Sequence, residues 1–340
     1  MENTSNQSNK RTGKHYAVSL SEDMYSTYID AINNIADEDT LYILGNAIHK
    51  RRNGLDVLQY IMKRPNVKLI LGNNEWYFLK CYEIMKKYDL CVDELTHYTR
   101  LNRYIGENTV LSEESIERGV TEIEKQMKFK GYEPKEISKR EIAEIATCIE
   151  NGGLSALRSF VKLTEKEQED IIKYLINSTV IAFVKTEDKK VCLVHVAPNN
   201  IEYYASMLQQ LKTENSIKFR TLLSMDAKIM GAFMEDCTEN IGEQFKDGED
   251  SSFINLQKMG FTTVFGRTVQ GKKATKSKKD GSICLDISDF GAALYCVEDG
   301  TVRYITKKYG ETAGHISEPM EPDVIEDRLK EYLGESGISR

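Results

Sequence analysis

Apolar and polar positions change rhythm three times along the chain. Near the start, "HYAVSL" (15–20), Leu41 to Gly45 and "NVKLILG" (66–72) are short apolar runs that read as strands. Between them "YSTYIDAINNIA" and "NGLDVLQYIMKR" carry apolar residues at helical spacing. Strand, helix, strand, helix, strand is the pattern of parallel βαβ units and predicts an α/β fold. From about residue 77 to 178 the spacing is helical throughout, in "SEESIERGVTEIEKQMKFKG", "SKREIAEIATCIENGG" and "LTEKEQEDIIKYLINS". The last opens with Thr164 and Glu167, the spacing of a capping box. Strands then return in "VCLVHVAP", "TTVFGRT", "SICLDIS" and "AALYCVEDGTVRYI", with Glu298-Asp299-Gly300 as the turn of a closing hairpin. No internal repeat is present.

Two of the early strands end abruptly in polar groups. "LILGNNEWYF" (69–78) passes from an apolar run into Gly72-Asn73-Asn74-Glu75, and "LYILGNAIHK" (41–50) into Gly45 and Asn46. Short polar side chains at the carboxyl ends of parallel strands are where α/β proteins hold ligands, so two such tips point to one shared site.

Composition narrows the classes. With 340 residues, 40% of them hydrophobic, the chain is long enough for a sizeable core. A net charge of -7 gives no electrostatic reason to expect nucleic acid. The polar start "MENTSNQSNKRTGK" lacks the apolar centre of a signal peptide, and no apolar run approaches a membrane span, so a cytoplasmic location is expected. Seven scattered cysteines without a C-x-x-C pair read as reduced thiols rather than a disulfide frame or zinc knuckle.

Taken in order, "YAVSLSED", "LYILGNAIHKR", "NVKLILGNNEW", "NGGLSALRSF", "CLVHVAP", "TTVFGRTVQ" and "ICLDISDFGAALYCVEDG" resemble the successive blocks of calcineurin-like metallophosphatases. The resemblance is greatest to their bacterial and phage serine/threonine protein phosphatase branch and covers roughly residues 15 to 305. It implies an α/β sandwich of two mixed β-sheets flanked by helices, with the stretch about 77–178 as a helical insertion. Residues 14–310 would form that domain, 1–13 a disordered tail, and 311–340 a C-terminal segment with a short helix. Members of the family hold two metal ions between strand tips, where a metal-bound water attacks phosphorus.

The ligand positions decide what that implies. The block S-D-x-H-G falls on Ser19 to Asp23, so Leu20 replaces a metal-binding aspartate and Glu22 a histidine. In G-D-x-x-D-R, Asn46 stands for the bridging aspartate, His49 for the aspartate that orients the catalytic histidine, and Lys50 for a phosphate-binding arginine. G-N-H-E becomes Gly72-Asn73-Asn74-Glu75: Asn73 is kept as a ligand position, while Asn74 replaces the histidine that protonates the leaving group. His195 is kept in Val194-His195-Val196-Ala197, and Arg267 replaces a ligand histidine. Leucine coordinates nothing, a neutral amide does not offset two bridged dications, and a guanidinium repels them. Asn74 has no titratable proton near neutral pH. The implied function is a phosphatase-like protein without two-metal catalysis, a binding or regulatory module with no cofactor and no catalytic residue.

Competing readings stay open at this point. Glu22, His49 and His195 offer two imidazoles and a carboxylate, a set suited to one Mn, Fe or Zn ion and to an active phosphoesterase with a rebuilt site. The blander alternative makes His49 a solvated loop residue and His195 a hydrogen-bonded relic. Arg267 could bind a phosphorylated protein or another anionic ligand, or pair internally with Glu22 and Asp23, the reading favoured for a cation in a polar cleft. Gly266 to Lys272 satisfies G-x-x-x-x-G-K, but Lys273 follows where a phosphate loop needs Ser or Thr. The lysines between 271 and 281 read as a solvated hairpin tip. His15, His97 and His315 fall outside the matched blocks.

Overall fold

The computed structural model describes residues 13–19, 25–48, 54–107, 113–150, 152–195, 216–218, 257–258, 260–266, 274–276, 281–287 and 291–306. Its first part is the expected alternation: β1 (His15–Val18), α1 (Tyr25–Asn33), β2 (Thr40–Leu44), α2 (Asp56–Ile61) and β3 (Val67–Ile70). Six helices follow: α3 (Asn73–Tyr88), α4 (Val92–Glu107), α5 (Glu113–Phe129), α6 (Lys139–Glu150), α7 (Gly153–Phe160) and α8 (Glu165–Asn177). The chain then forms β4 (Thr179–Lys185), β5 (Lys190–Val194), β6 (Ser216–Lys218), β7 (Thr262–Phe265), β8 (Thr275–Lys276), β9 (Ile283–Cys284), β10 (Gly291–Cys296) and β11 (Val302–Thr306).

Hydrogen bonding joins these strands into one mixed sheet in the order β11-β10-β1-β2-β3-β4-β5-β7-β9-β8, with β6 on β4. The α/β class is as expected, and the described strands make one continuous, curled sheet. The reason is a single register pair, Ile70 opposite Thr179, with the Leu71 amide donating to the Thr179 carbonyl at 2.8 Å. β4 therefore begins where β3 ends. β5 runs antiparallel to β4 and returns to that level, with Val194 opposite Ile181. The sheet curls there, and β2 approaches β5 although two strands lie between them in the hydrogen-bonded order.

Alternation along the strands explains why their sequences are nearly all apolar. Tyr16, Val18, Leu41, Ile43, Cys192 and Val194 face one apolar cluster, which they share with the helices. Ala17, Tyr42, Leu44, Val191, Leu193, Ala293 and Tyr295 face a second, built from the two halves of the curled sheet. Strands buried on both faces carry no polar stripe. The hairpin of β10 and β11 turns at Glu298-Asp299-Gly300, where Gly300 has φ +76° and the Asp299 carboxylate accepts from the Thr301 amide at 2.9 Å.

Three sequence expectations are corrected. The helical stretch starts at Asn73 rather than about 77, so Asn73, Asn74 and Glu75, expected as the polar tip of a strand, form the first turn of α3. β4 was not expected; its "TVIAFVK" follows α8 after Ser178 alone, so one apolar pattern runs across the boundary. The second early helix is shorter than its pattern, Asp56–Ile61. The Thr164 capping box is present, with the Glu167 amide donating to Thr164 Oγ1 and the Thr164 amide to the Glu167 carboxylate. All but Gly13 of the expected tail 1–13, the C-terminal segment 311–340, most of the lysine-rich loop, and His315 lie outside the described residues.

A carboxylate clamps two helices of the insertion, α3 and α6, together. Glu141 on α6 accepts from Lys87 Nζ at 2.8 Å and from the Tyr88 hydroxyl at 3.0 Å, and caps its own helix through Ser138. Burial works to raise its pKa, but the donors from Lys87, Ser138 and Tyr88 outweigh that and hold it at about 2, against an ordinary 4.5. A depressed carboxylate stabilises the fold fully above its unfolded pKa and less as pH falls through the folded one. The contribution is thus expected to disappear between about pH 4.5 and 2. Acid unfolding should show Glu141→Gln less stable than wild type by about 1 kcal/mol at neutral pH and equal to it near pH 2. A gap independent of pH would contradict the clamp.

Candidate functional site

Five strand ends meet where the sheet curls. His195, immediately after β5, turns its ring towards β2 and places Nδ1 2.7 Å from the Leu44 carbonyl and Nε2 3.0 Å from Asn73 Oδ1. A carbonyl only accepts, so Nδ1 is the donor. The second bond to Oδ1 then requires an imidazolium, whereas a neutral ring takes the Asn73 amide with its NH2 turned towards Nε2. The Gly266 amide donates to the His195 carbonyl at 2.9 Å, and the Ser19 hydroxyl donates to the Gly266 carbonyl. β1, β2, β3, β5 and β7 thus contribute their carboxyl ends to one place.

Glycine makes this convergence possible. A Cβ on Gly45 would lie 2.2 Å from His195 Nδ1, and one on Gly72 2.9 Å from its Nε2. On Gly266 it would lie 2.6 Å from the Leu44 carbonyl oxygen. Gly45 also has φ +75° and is followed by Asn46 at φ +60°, a left-handed pair that bends the chain sharply as it leaves β2.

Glu75 fixes that bend. It is 0% exposed, and its carboxylate accepts from the amides of Ile48 at 2.8 Å, Gly72 at 2.9 Å and Asn46 at 3.3 Å. Burial pushes its pKa up, and the backbone amides of Ile48, Gly72 and Asn46 pull the other way. The carboxylate caps α3 by bonding back to Gly72 and holds the β2 loop to the same helix end. Asn74, 3% exposed, adds a second tie through Nδ2 to the Ile48 carbonyl at 2.9 Å, while its buried Oδ1 has no hydrogen-bond partner among the described residues.

Of the residues singled out from the sequence, Asn46, Asn73, Asn74, Glu75 and His195 are gathered here. Leu20, Glu22, His49, Lys50 and Arg267 lie outside the described residues. Three contributors were not foreseen: the Ser19 hydroxyl and the backbone groups of Leu44 and Ile48. Hydrogen bonds to main-chain groups leave no trace in residue identity. Glycine at three of the five strand ends, Gly45, Gly72 and Gly266, was the available signal. The described residues do not fit a bridged pair of divalent ions. Their one site carboxylate is committed to three backbone amides, and Asn46 is neutral. Among the described residues no three His, Cys, Asp or Glu side chains are grouped to hold a metal. His15 and His97 serve elsewhere: His15 bonds Glu298 at 2.7 Å, and His97 is buried, which lowers its pKa. Cys81, Cys91, Cys148, Cys192 and Cys296 are thiols rather than half-cystines.

Neither a protein-family model nor any curated protein matches the chain. Among the described residues no helix is long and apolar enough to cross a membrane.

Proposed function

We propose that the chain is a metallophosphatase-like α/β sandwich that has lost two-metal catalysis and whose cleft works as a binding or regulatory module. The observation that carries this reading is how the ionisable groups at the strand tips are used. Glu75 is taken up by the Ile48, Gly72 and Asn46 amides, and His195 by Leu44 and Asn73. The curled sheet with five converging strand ends supports the sandwich. Asn74, at the position of the family's general acid, has no proton to give a leaving group. Hydrolysis of p-nitrophenyl phosphate should equal the buffer rate with or without manganese. Metal-dependent turnover well above buffer would overturn the proposal.

The ligand class that suits the cleft is a phosphorylated protein or another anion, because the guanidinium of Arg267 is a bidentate partner for phosphate and carboxylate without a metal. Its competing fate is an ion pair with Glu22 and Asp23. Titration of phosphate, a phosphopeptide and a nucleotide into wild type and Arg267→Ala separates the two. A binding signal weakened about tenfold or more in the variant assigns Arg267 to the ligand. Equal, negligible binding by both proteins would leave the cleft as a relic.

A second reading keeps the rebuilt one-metal site for Mn, Fe or Zn on Glu22, His49 and His195, of which His195 stands at the strand tips.

A further inference from the structure

Two buried thiols that the strand-tip site does not use meet between α3 and α6. Cys81 on α3 is 0% exposed and Cys148 on α6 is 2% exposed, and both belong to the apolar cluster that strands and helices share. Cys148 turns its proton to Cys81 as a hydrogen bond, and that bond together with burial pushes its pKa up. The same two helices are joined by the Tyr88 hydroxyl and the Glu141 carboxylate at 3.0 Å. Cys81 stands seven residues before Tyr88 and Cys148 seven after Glu141, two helical turns in each case. The two contacts therefore lie at matching levels of one antiparallel seam. Gly153, at the start of α7, closes over the pair, since a Cβ there would lie 2.2 Å from Cys148 Sγ.

Of the reactions open to adjacent thiols, the surroundings favour one. A soft metal ion held by two thiolates would leave a net negative charge in an apolar core, and among the described residues no third His, Cys, Asp or Glu is grouped with them. A bulky adduct on either sulfur has no room in the buried seam beside Gly153. A disulfide is neutral and takes less volume than two thiols. We propose that Cys81 and Cys148 are a modification site, joined into a reversible disulfide by a small peroxide. The Cys81 sulfur attacks one peroxide oxygen, the O–O bond breaks, and the departing hydroxide takes the Cys81 proton, leaving a sulfenic acid and water. The Cys148 sulfur then attacks the Cys81 sulfur, the S–O bond breaks, and the hydroxide released takes the Cys148 proton as a second water. The two sulfurs lose two electrons and the peroxide gains them. The bridge closes a loop of 66 intervening residues and ties α3, whose first turn holds Asn73, Asn74 and Glu75, to α6.

Hydrogen peroxide added to the reduced full chain tests this, with remaining thiols blocked and tryptic peptides mapped by mass spectrometry without reductant. A link between the peptides carrying Cys81 and Cys148 is expected as the principal disulfide, lost on adding dithiothreitol and unchanged in Cys91→Ala, which removes an exposed competing thiol. The oxidised wild type should melt about 5 °C above the reduced protein, whereas peroxide should not raise the melting point of Cys148→Ala. Cys81 and Cys148 recovered as free thiols under peroxide that oxidises Cys91, or either one joined to a different cysteine, would overturn the proposal. So would a linked chain that melts no higher than the reduced one, the result expected if only opened chains are joined.

Discussion

Glu75→Ala is expected to lose about 4 kcal/mol of stability, since three buried backbone amides are each left without an acceptor at about 1–3 kcal/mol, partly offset by removing a buried charge. Glu75→Gln keeps one acceptor oxygen but turns an NH2 towards an amide donor, so an intermediate loss of about 2 kcal/mol is expected. Urea unfolding followed by the fluorescence of Trp76 measures both. Trp76 is the chain's single tryptophan, buried, and next to Glu75. A loss below about 1 kcal/mol in the alanine variant would mean that water replaces the carboxylate at the amides, and that Glu75 does not hold the β2 loop.

Gly45→Ala is the second large effect. The new methyl would sit 2.2 Å from His195 Nδ1, on a residue whose φ of +75° already disfavours any side chain. The left-handed backbone alone costs about 1 kcal/mol. Expelling the imidazole from the Leu44 carbonyl raises the expected loss to about 3 kcal/mol. Gly260→Ala supplies the control, because Gly260 has φ +79° and a Cβ there would meet no atom within 4 Å. It should lose only the backbone part. In the double variant Gly45→Ala/His195→Ala the steric part should vanish, giving a coupling of about 1–2 kcal/mol. Additive losses would show that Gly45 is required for its backbone alone.

How much of this was legible in the sequence depends on the range of the interaction concerned. β1, β2, β3, β5 and β7 announced themselves as apolar runs, because strands buried on both faces need nothing but apolar residues. The curl did not, since it rests on the Ile70–Thr179 pair, which joins residues separated by the six helices α3–α8. β4 was hidden by adjacency to α8. The start of α3 could have been read: Gly72-Asn73-Asn74-Glu75 places a glutamate three residues after the cap, the spacing at which its carboxylate returns to the cap amide. At the site, the side chains of Asn46, Asn73, Asn74, Glu75 and His195 were visible as a group. The role of Glu75 was not, because its partners are backbone amides that any residue supplies.

Elemental analysis of the purified full chain, equilibrated with manganese and desalted, tests the central claim most directly when run beside a phosphatase assay of the same sample. Loss of two-metal catalysis predicts metal far below one ion per chain and hydrolysis at the buffer rate, unchanged in His195→Ala. About two ions per chain, with turnover that His195→Ala abolishes, would contradict it.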